Sequence, residues 1–156
     1  MGKFKLYLET SVFNFAFAED SPDEREVTLK LFDELNRYEA YISEVVIGEI
    51  NRTPQEEKKR LLLELINRYD FKELPFDESS KILASRYVRE GIIPQKYKED
   101  AFHIAIASVN NLDALISWNF AHIVKLKSKR EGVGINLIMG YKEIELYSPW
   151  EVVGNE

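Results

Sequence analysis

Four apolar runs of strand length, KFKLYL, EAYIS, LDALIS and IELYS, are spaced along this chain with helix-patterned stretches between them. Strands alternating with helices imply a parallel sheet covered on both faces. Ligands of such sheets bind outside the carboxyl ends of the strands, where the strand order reverses. The residues that follow each apolar run are therefore the first place to look for function.

Local signals mark the helices. Ser21-Pro22-Asp23-Glu24 offers a capping Ser, Pro at the first helical position and a Glu reaching back, and Val27, Leu31 and Leu35 carry one apolar stripe to about Tyr38. Before it, SVFNFAFA reads as a short helix or turn. Ser43 is placed to cap a helix carrying Glu49. Pro54 opens another, with Leu61, Leu62, Leu65 and Ile66 as its buried face. The stretch from Phe71 to Leu74 reads as extended. Asp77 caps a helix with Ile82, Leu83 and Tyr87 that stops at Gly91. In EDAFHIAIASV the small residues Ala101, Ala105, Ala107 and Ser108 allow close packing. WNFAHIVKL reads as a turn and short helix, and Ser148-Pro149-Trp150-Glu151 as a second capping box.

At 156 residues, with no internal repeat or Gly/Ser-rich linker, one domain over 1–156 is expected. The 45% apolar and 31% charged composition is that of a globular chain. No apolar run approaches the roughly 20 residues of a bilayer span, and the N-terminus lacks a signal peptide's cleavage pattern. With no cysteine there is no disulfide and no thiolate ligand or nucleophile. A cytoplasmic location without membrane contact is the expectation. The net charge of −6 argues against a general nucleic-acid binder but not against an enzyme acting on nucleic acid, because a carboxylate-lined metal site is itself negative. Basic residues cluster at Lys58, Lys59 and Arg60, at Lys96 and Lys98, and at Lys125, Lys127, Lys129 and Arg130; each cluster reads as a solvated helix face.

The phrases LYLETS, VVIGEI, KEDAFHIAIA and ALISWNF each place a carboxylate or its amide where an apolar run stops. Ionised carboxylates beside apolar stretches cost free energy unless a cation or hydrogen bonds compensate. Glu9 directly follows its strand, and Asn119 stands two residues beyond Ser117. Glu49 shares its helix with Val45, Val46 and Ile50, and Asp100 begins an apolar face with Ile104 and Ala107. Taken singly, Glu9 reads as an exposed turn residue, Asn119 as a helix cap and Asp100 as an acid at a helix N-terminus. Taken together, they look like ligands for a divalent metal at the sheet edge. Thr10 and Ser11 can cap a helix or hydrogen-bond a water at such an ion. His103 lies one turn after Asp100, and a D-x-x-H pair suits zinc. The only other histidine is His122, however, and zinc wants more nitrogen ligands. His103 is thus read as a supporting or core histidine, and His122 as orienting a loop. Oxygen ligands without Cys favour Mg²⁺ or Mn²⁺, and the fitting reaction class is metal-assisted phosphodiester hydrolysis.

In the order YLETS, SEVVIGEI, EDAFHIAIA and ALISWNFAHI, with LYSPWEV closing the chain, these phrases resemble the PIN-domain family of metal-dependent ribonucleases. They are particularly similar to VapC-like toxins of toxin–antitoxin pairs, in a branch with an E-T-S first motif. The resemblance implies a three-layer α/β/α sandwich around a central parallel sheet. It implies that the catalytic positions are Glu9, Glu49, Asp100 and Asn119, with Glu9, Glu49 and Asp100 holding Mg²⁺ or Mn²⁺. An RNA substrate, a cognate antitoxin whose peptide enters the cleft, and a homodimer are also implied. Two departures stand out. Glu9 replaces the family's Asp and reaches one methylene further, and the neutral Asn119 falls where an acid is common. The alternative is a PIN-like module that has lost catalysis and serves in RNA binding or protein interaction, which the acidic net charge and Asn119 favour.

Overall fold

The structure, a computed structural model, describes residues 2–119 and 134–153. Among these, five strands form one sheet in the order β3 (Lys72–Leu74), β2 (Glu39–Ser43), β1 (Lys5–Leu8), β4 (Ala114–Ile116), β5 (Glu145–Tyr147), with every pairing parallel. The expected α/β/α sandwich is what forms. β1 is central, pairing Leu6 with Ala40 of β2 on one side and with Ala114 of β4 on the other. The alternation at Phe4, Leu6 and Leu8 understates its burial. Tyr7 is as enclosed as Leu6 and Leu8, while Phe4 lies outside the strand and is exposed. A central parallel strand has helices on both faces, so both of its faces need apolar cover.

The helices are α1 (Thr10–Phe15), α2 (Pro22–Asp33), α3 (Glu44–Asn51), α4 (Glu56–Arg68), α5 (Glu78–Arg89), α6 (Lys98–Val109) and α7 (Pro149–Val153), and residues 134–139 are also helical. Local chemistry explains most of their ends. Ser43 accepts from the amides of Val45 and Val46 at the start of α3, and Asp77 accepts from Ser80 N at 3.0 Å at the start of α5. Gly91 takes φ +74° just past α5, as a helix stop requires. Ser148 and Glu151 form the reciprocal capping box, each backbone amide bonded to the other's side chain.

Two expected starts differ. Ser21 makes no side-chain cap bond, because at φ −136°, ψ 67° it is not in the extended cap geometry that aims the hydroxyl at the first amides. α4 begins at Glu56 after Gln55, not at Pro54, which follows the turn closed by Thr53 N on Ile50 O. In α6, Ala101, Ala105, Ala107 and Ser108 are all buried, and the helix packs along α5. The short helix expected within WNFAHIVKL, His122 and the basic cluster Lys125 to Arg130 lie outside the described residues.

The strand order fixes where a site can form. From β1 the chain passes to β2 on one side of it and later to β4 on the other, so the order reverses between β1 and β4. The carboxyl ends of these two strands meet at that point, and Glu9 N continues the ladder by donating to Ile116 O at 3.0 Å.

Candidate functional site

Glu9, the first residue past β1, is only 2% exposed. One oxygen, Oε1, accepts from Ser11 N at 3.1 Å, Ser11 Oγ at 2.5 Å and Ser117 Oγ at 2.7 Å. The Ser11 amide bond makes Glu9 the N-cap of α1. Ser11 Oγ accepts in turn from Trp118 N at 2.8 Å, and Ser117 Oγ from Asn119 N at 2.9 Å. The serines after β1 and at the end of β4 thus tie the two strand ends together around Glu9.

Glu49 points into the same space from α3. Its Oε1 accepts from Thr10 Oγ1 at 2.9 Å and pairs with His103 Nε2 at 2.6 Å. The last turn of α3 and the first of α6 meet where Arg52 binds Glu99 at 3.0 Å, and Glu99 also shares a hydrogen bond with Glu49. Asp100 is 9% exposed at the start of α6. Asn119, exposed at the rim, brings Nδ2 to 3.5 Å from Glu9 Oε2, the long end of hydrogen-bond range.

The electrostatics are those of a crowded acid cluster. Burial pushes the Asp100 carboxyl up to about 6, and the negative charges of Glu9, Glu49 and Glu99 add to the rise against the opposing effect of His103. For Glu49, burial works upward, but the hydrogen bond and charge of His103 outweigh it and the net direction is down. For His103, burial works downward, yet the Glu49 hydrogen bond and the charges of Glu9, Glu49 and Asp100 carry it above the usual histidine range. Glu99 is raised, by burial first and then by Glu49.

The ligand atoms of Glu9, Glu49 and His103 all lie within 4.8 Å of one another, close enough to share one ion. His103 is the least suited of the three to be a ligand. Its Nε2 already pairs with Glu49 and its Nδ1 lies 2.5 Å from the Tyr7 hydroxyl, so neither ring nitrogen has a lone pair to spare while those bonds stand.

Glu9, Thr10, Ser11, Glu49 and His103 therefore come together, Asp100 lies near enough for Glu9, Glu49 and His103 to act on its charge, and Asn119 stands at their edge. Ser117, Glu99 and Tyr7 join them without being singled out by the sequence pattern. Ser117 carries a signal of the same kind as Glu9, a polar residue ending an apolar strand. Glu99 stood beside Asp100 as one of a pair of acids. Tyr7 reads simply as a core aromatic.

An α/β protein with a buried, oxygen-lined acidic centre at the switch point of a parallel sheet is what these features define. Residues 6–119 match the PIN domain, and the chain belongs to that family. Its fold is shared with chains of two crystal structures. One is VapBC2 from Rickettsia felis bound to a DNA fragment from their promoter: TM-score 0.58, 15% identity, covering 93% of this chain and 98% of that one. The other is VapBC-5 from Mycobacterium tuberculosis, of the VapBC family of toxin–antitoxin systems: TM-score 0.52, 16% identity, covering 92% of this chain and 98% of that one. No curated protein matches in sequence. Among the described residues no helix is long and apolar enough to cross a membrane.

Proposed function

We propose that the chain is a metal-dependent ribonuclease that hydrolyses RNA phosphodiester bonds, with Glu9, Glu49 and Asp100 holding Mg²⁺ or Mn²⁺. The observation that carries this is the meeting of Glu9 and Glu49 beside His103, their ligand atoms within 4.8 Å of one another, with the buried Asp100 at the start of α6 near enough to feel the charge of all three. So much negative charge in one enclosed place calls for a cation, and an oxygen donor set suits a hard one. When bound, such an ion supplies compensating charge at the phosphate and lowers the pKa of the attacking water. The protein's own groups orient its acids. Ser11 and Ser117 fix Glu9, and Thr10 and His103 fix Glu49. Asn119 at the rim contributes an amide where a further acid would bring charge. In the reaction water adds to phosphorus and one P–O ester bond breaks, leaving a phosphate end and a hydroxyl end.

A cognate antitoxin is the partner we assign, since both fold relatives are toxin–antitoxin assemblies, and we place the pair with its RNA in the cytoplasm. We also propose a homodimer, to which the exposed Leu137 and Ile138 could offer apolar contact.

The test is RNA cleavage in Mg²⁺ or Mn²⁺ by wild type, Asp100→Asn and Glu49→Gln. Wild type is expected to cut, to stop in EDTA, and to lose at least about 100-fold in either variant. Cleavage that persists in EDTA or in Asp100→Asn would overturn the assignment. The second reading, an RNA-binding or interaction module without catalysis, is favoured by the neutral Asn119. RNA binding without cleavage or Mn²⁺ uptake would establish it.

A further inference from the structure

Behind Glu49 the hydrogen bonds continue away from the site. From His103 Nδ1, 2.5 Å from the Tyr7 hydroxyl, they run on to Ser43 Oγ, 2.7 Å further. A chain Ser43–Tyr7–His103–Glu49 therefore crosses from the end of β2 through β1 and α6 to α3. Tyr7, Ser43 and His103 are each 0% exposed, so no solvent can complete their hydrogen bonding. Among the described residues no buried side-chain nitrogen or oxygen lacks a partner.

Counting protons gives the chain a direction. Ser43 Oγ already accepts from Val45 N at 3.1 Å and Val46 N at 3.4 Å as the cap of α3, which leaves its own proton to go to Tyr7. With the ring neutral, the Tyr7 proton then goes to Nδ1, and Nε2 is the N–H that donates to Glu49. The reverse order would leave the Ser43 proton buried with no acceptor. A Phe at position 7 would pack without needing any partner, so the hydroxyl in the central strand has a use beyond packing.

We propose that Tyr7 and Ser43 are positioning residues of the site, holding His103 in its Nε2–H form and, through it, orienting the Glu49 carboxylate toward the other acids. The proposal rests on the metal-site reading above. Hydrogen bonds behind a ligand set its orientation, and losing them costs about 10- to 100-fold in metal affinity.

The experiment is Mn²⁺ titration calorimetry on the full chain for wild type, Tyr7→Phe, His103→Gln, the double variant and Tyr87→Phe. Tyr87 is equally buried, but its hydroxyl bonds Asn136, which none of the site acids touches. Tyr7→Phe should weaken Mn²⁺ binding about 10-fold or more, with no further loss in the His103→Gln background. Tyr87→Phe should lose stability yet bind as wild type does. Wild-type affinity in Tyr7→Phe, or losses that simply add, would overturn the proposal. A second arm needs no metal. In the ¹⁵N spectrum of the metal-free protein, taken where the ring is neutral, His103 should carry its proton on Nε2 alone, and its Nδ1 resonance should move in Tyr7→Phe. A proton on Nδ1 overturns the proposal. If wild type takes up no Mn²⁺, the metal reading falls and the ring spectrum alone decides the positioning role.

Discussion

Asp100 shows at the residue scale what the site demands. In the metal-free protein its carboxyl rises from 3.8 to about 6 because burial disfavours the ion and Glu9 repels it. A carboxyl raised in this way binds its proton more tightly in the native state than in the unfolded chain. Its contribution to stability is complete below the unfolded value and is lost as pH rises through the native one. The rise corresponds to at most about 3 kcal/mol, and less for a carboxyl not fully sealed from water. Metal-free Asp100→Asn should therefore melt above wild type at about pH 8, by up to roughly 2 kcal/mol, and level with it near pH 4. Melting temperature against pH checks this, and a gain independent of pH would contradict it. Asn119 predicts the opposite trade. Asn119→Asp adds an acid near Glu9 Oε2, so it should tighten Mn²⁺ binding severalfold by calorimetry while lowering stability without metal. Looser Mn²⁺ binding would remove Asn119 from the site's surroundings.

At the scale of elements, much of the fold was legible because its cues are local. Asp77 and Ser80, or Ser148 and Glu151, lie within one turn of each other, and their pattern dictates the cap. Ser21 carries the same pattern and forms no such bond, since at φ −136°, ψ 67° its backbone is not in the extended cap geometry. Asp77→Ala should cost about 1 kcal/mol through the lost cap. Gly91→Ala should cost a similar amount at φ +74°, although no atom within 4 Å would obstruct the added methyl. Thermal or urea unfolding reads both, and activity per folded molecule should not change in either. Tyr7, Ser117 and Glu99 are not legible in the sequence for the converse reason. The partners of Tyr7 and Ser117 lie 96 and 108 residues away, so nothing near them in sequence reports the contact. Glu99 becomes significant only once α3 brings Glu49 and Arg52 against α6.

For the whole molecule, the alternation of strands and helices announced a parallel sheet, but it did not say which strands are neighbours. That order decides the site. Glu9 and Asn119 share a rim only because β4 pairs with β1, and the serine ties around Glu9 exist only at that junction. An ion bound there should stabilise the fold by mass action, about 2.7 kcal/mol at a hundred times its dissociation constant. Mn²⁺ should accordingly raise the melting temperature of wild type and leave Glu49→Gln nearly unmoved. The position of the ion is the decisive observable. Anomalous diffraction from crystals soaked in Mn²⁺ should give a peak contacting carboxylate oxygens of Glu9, Glu49 and Asp100, with His103 still bonded to Tyr7 and Glu49. No peak among these acids, or a peak ligated by a His103 turned away from Tyr7, would contradict it.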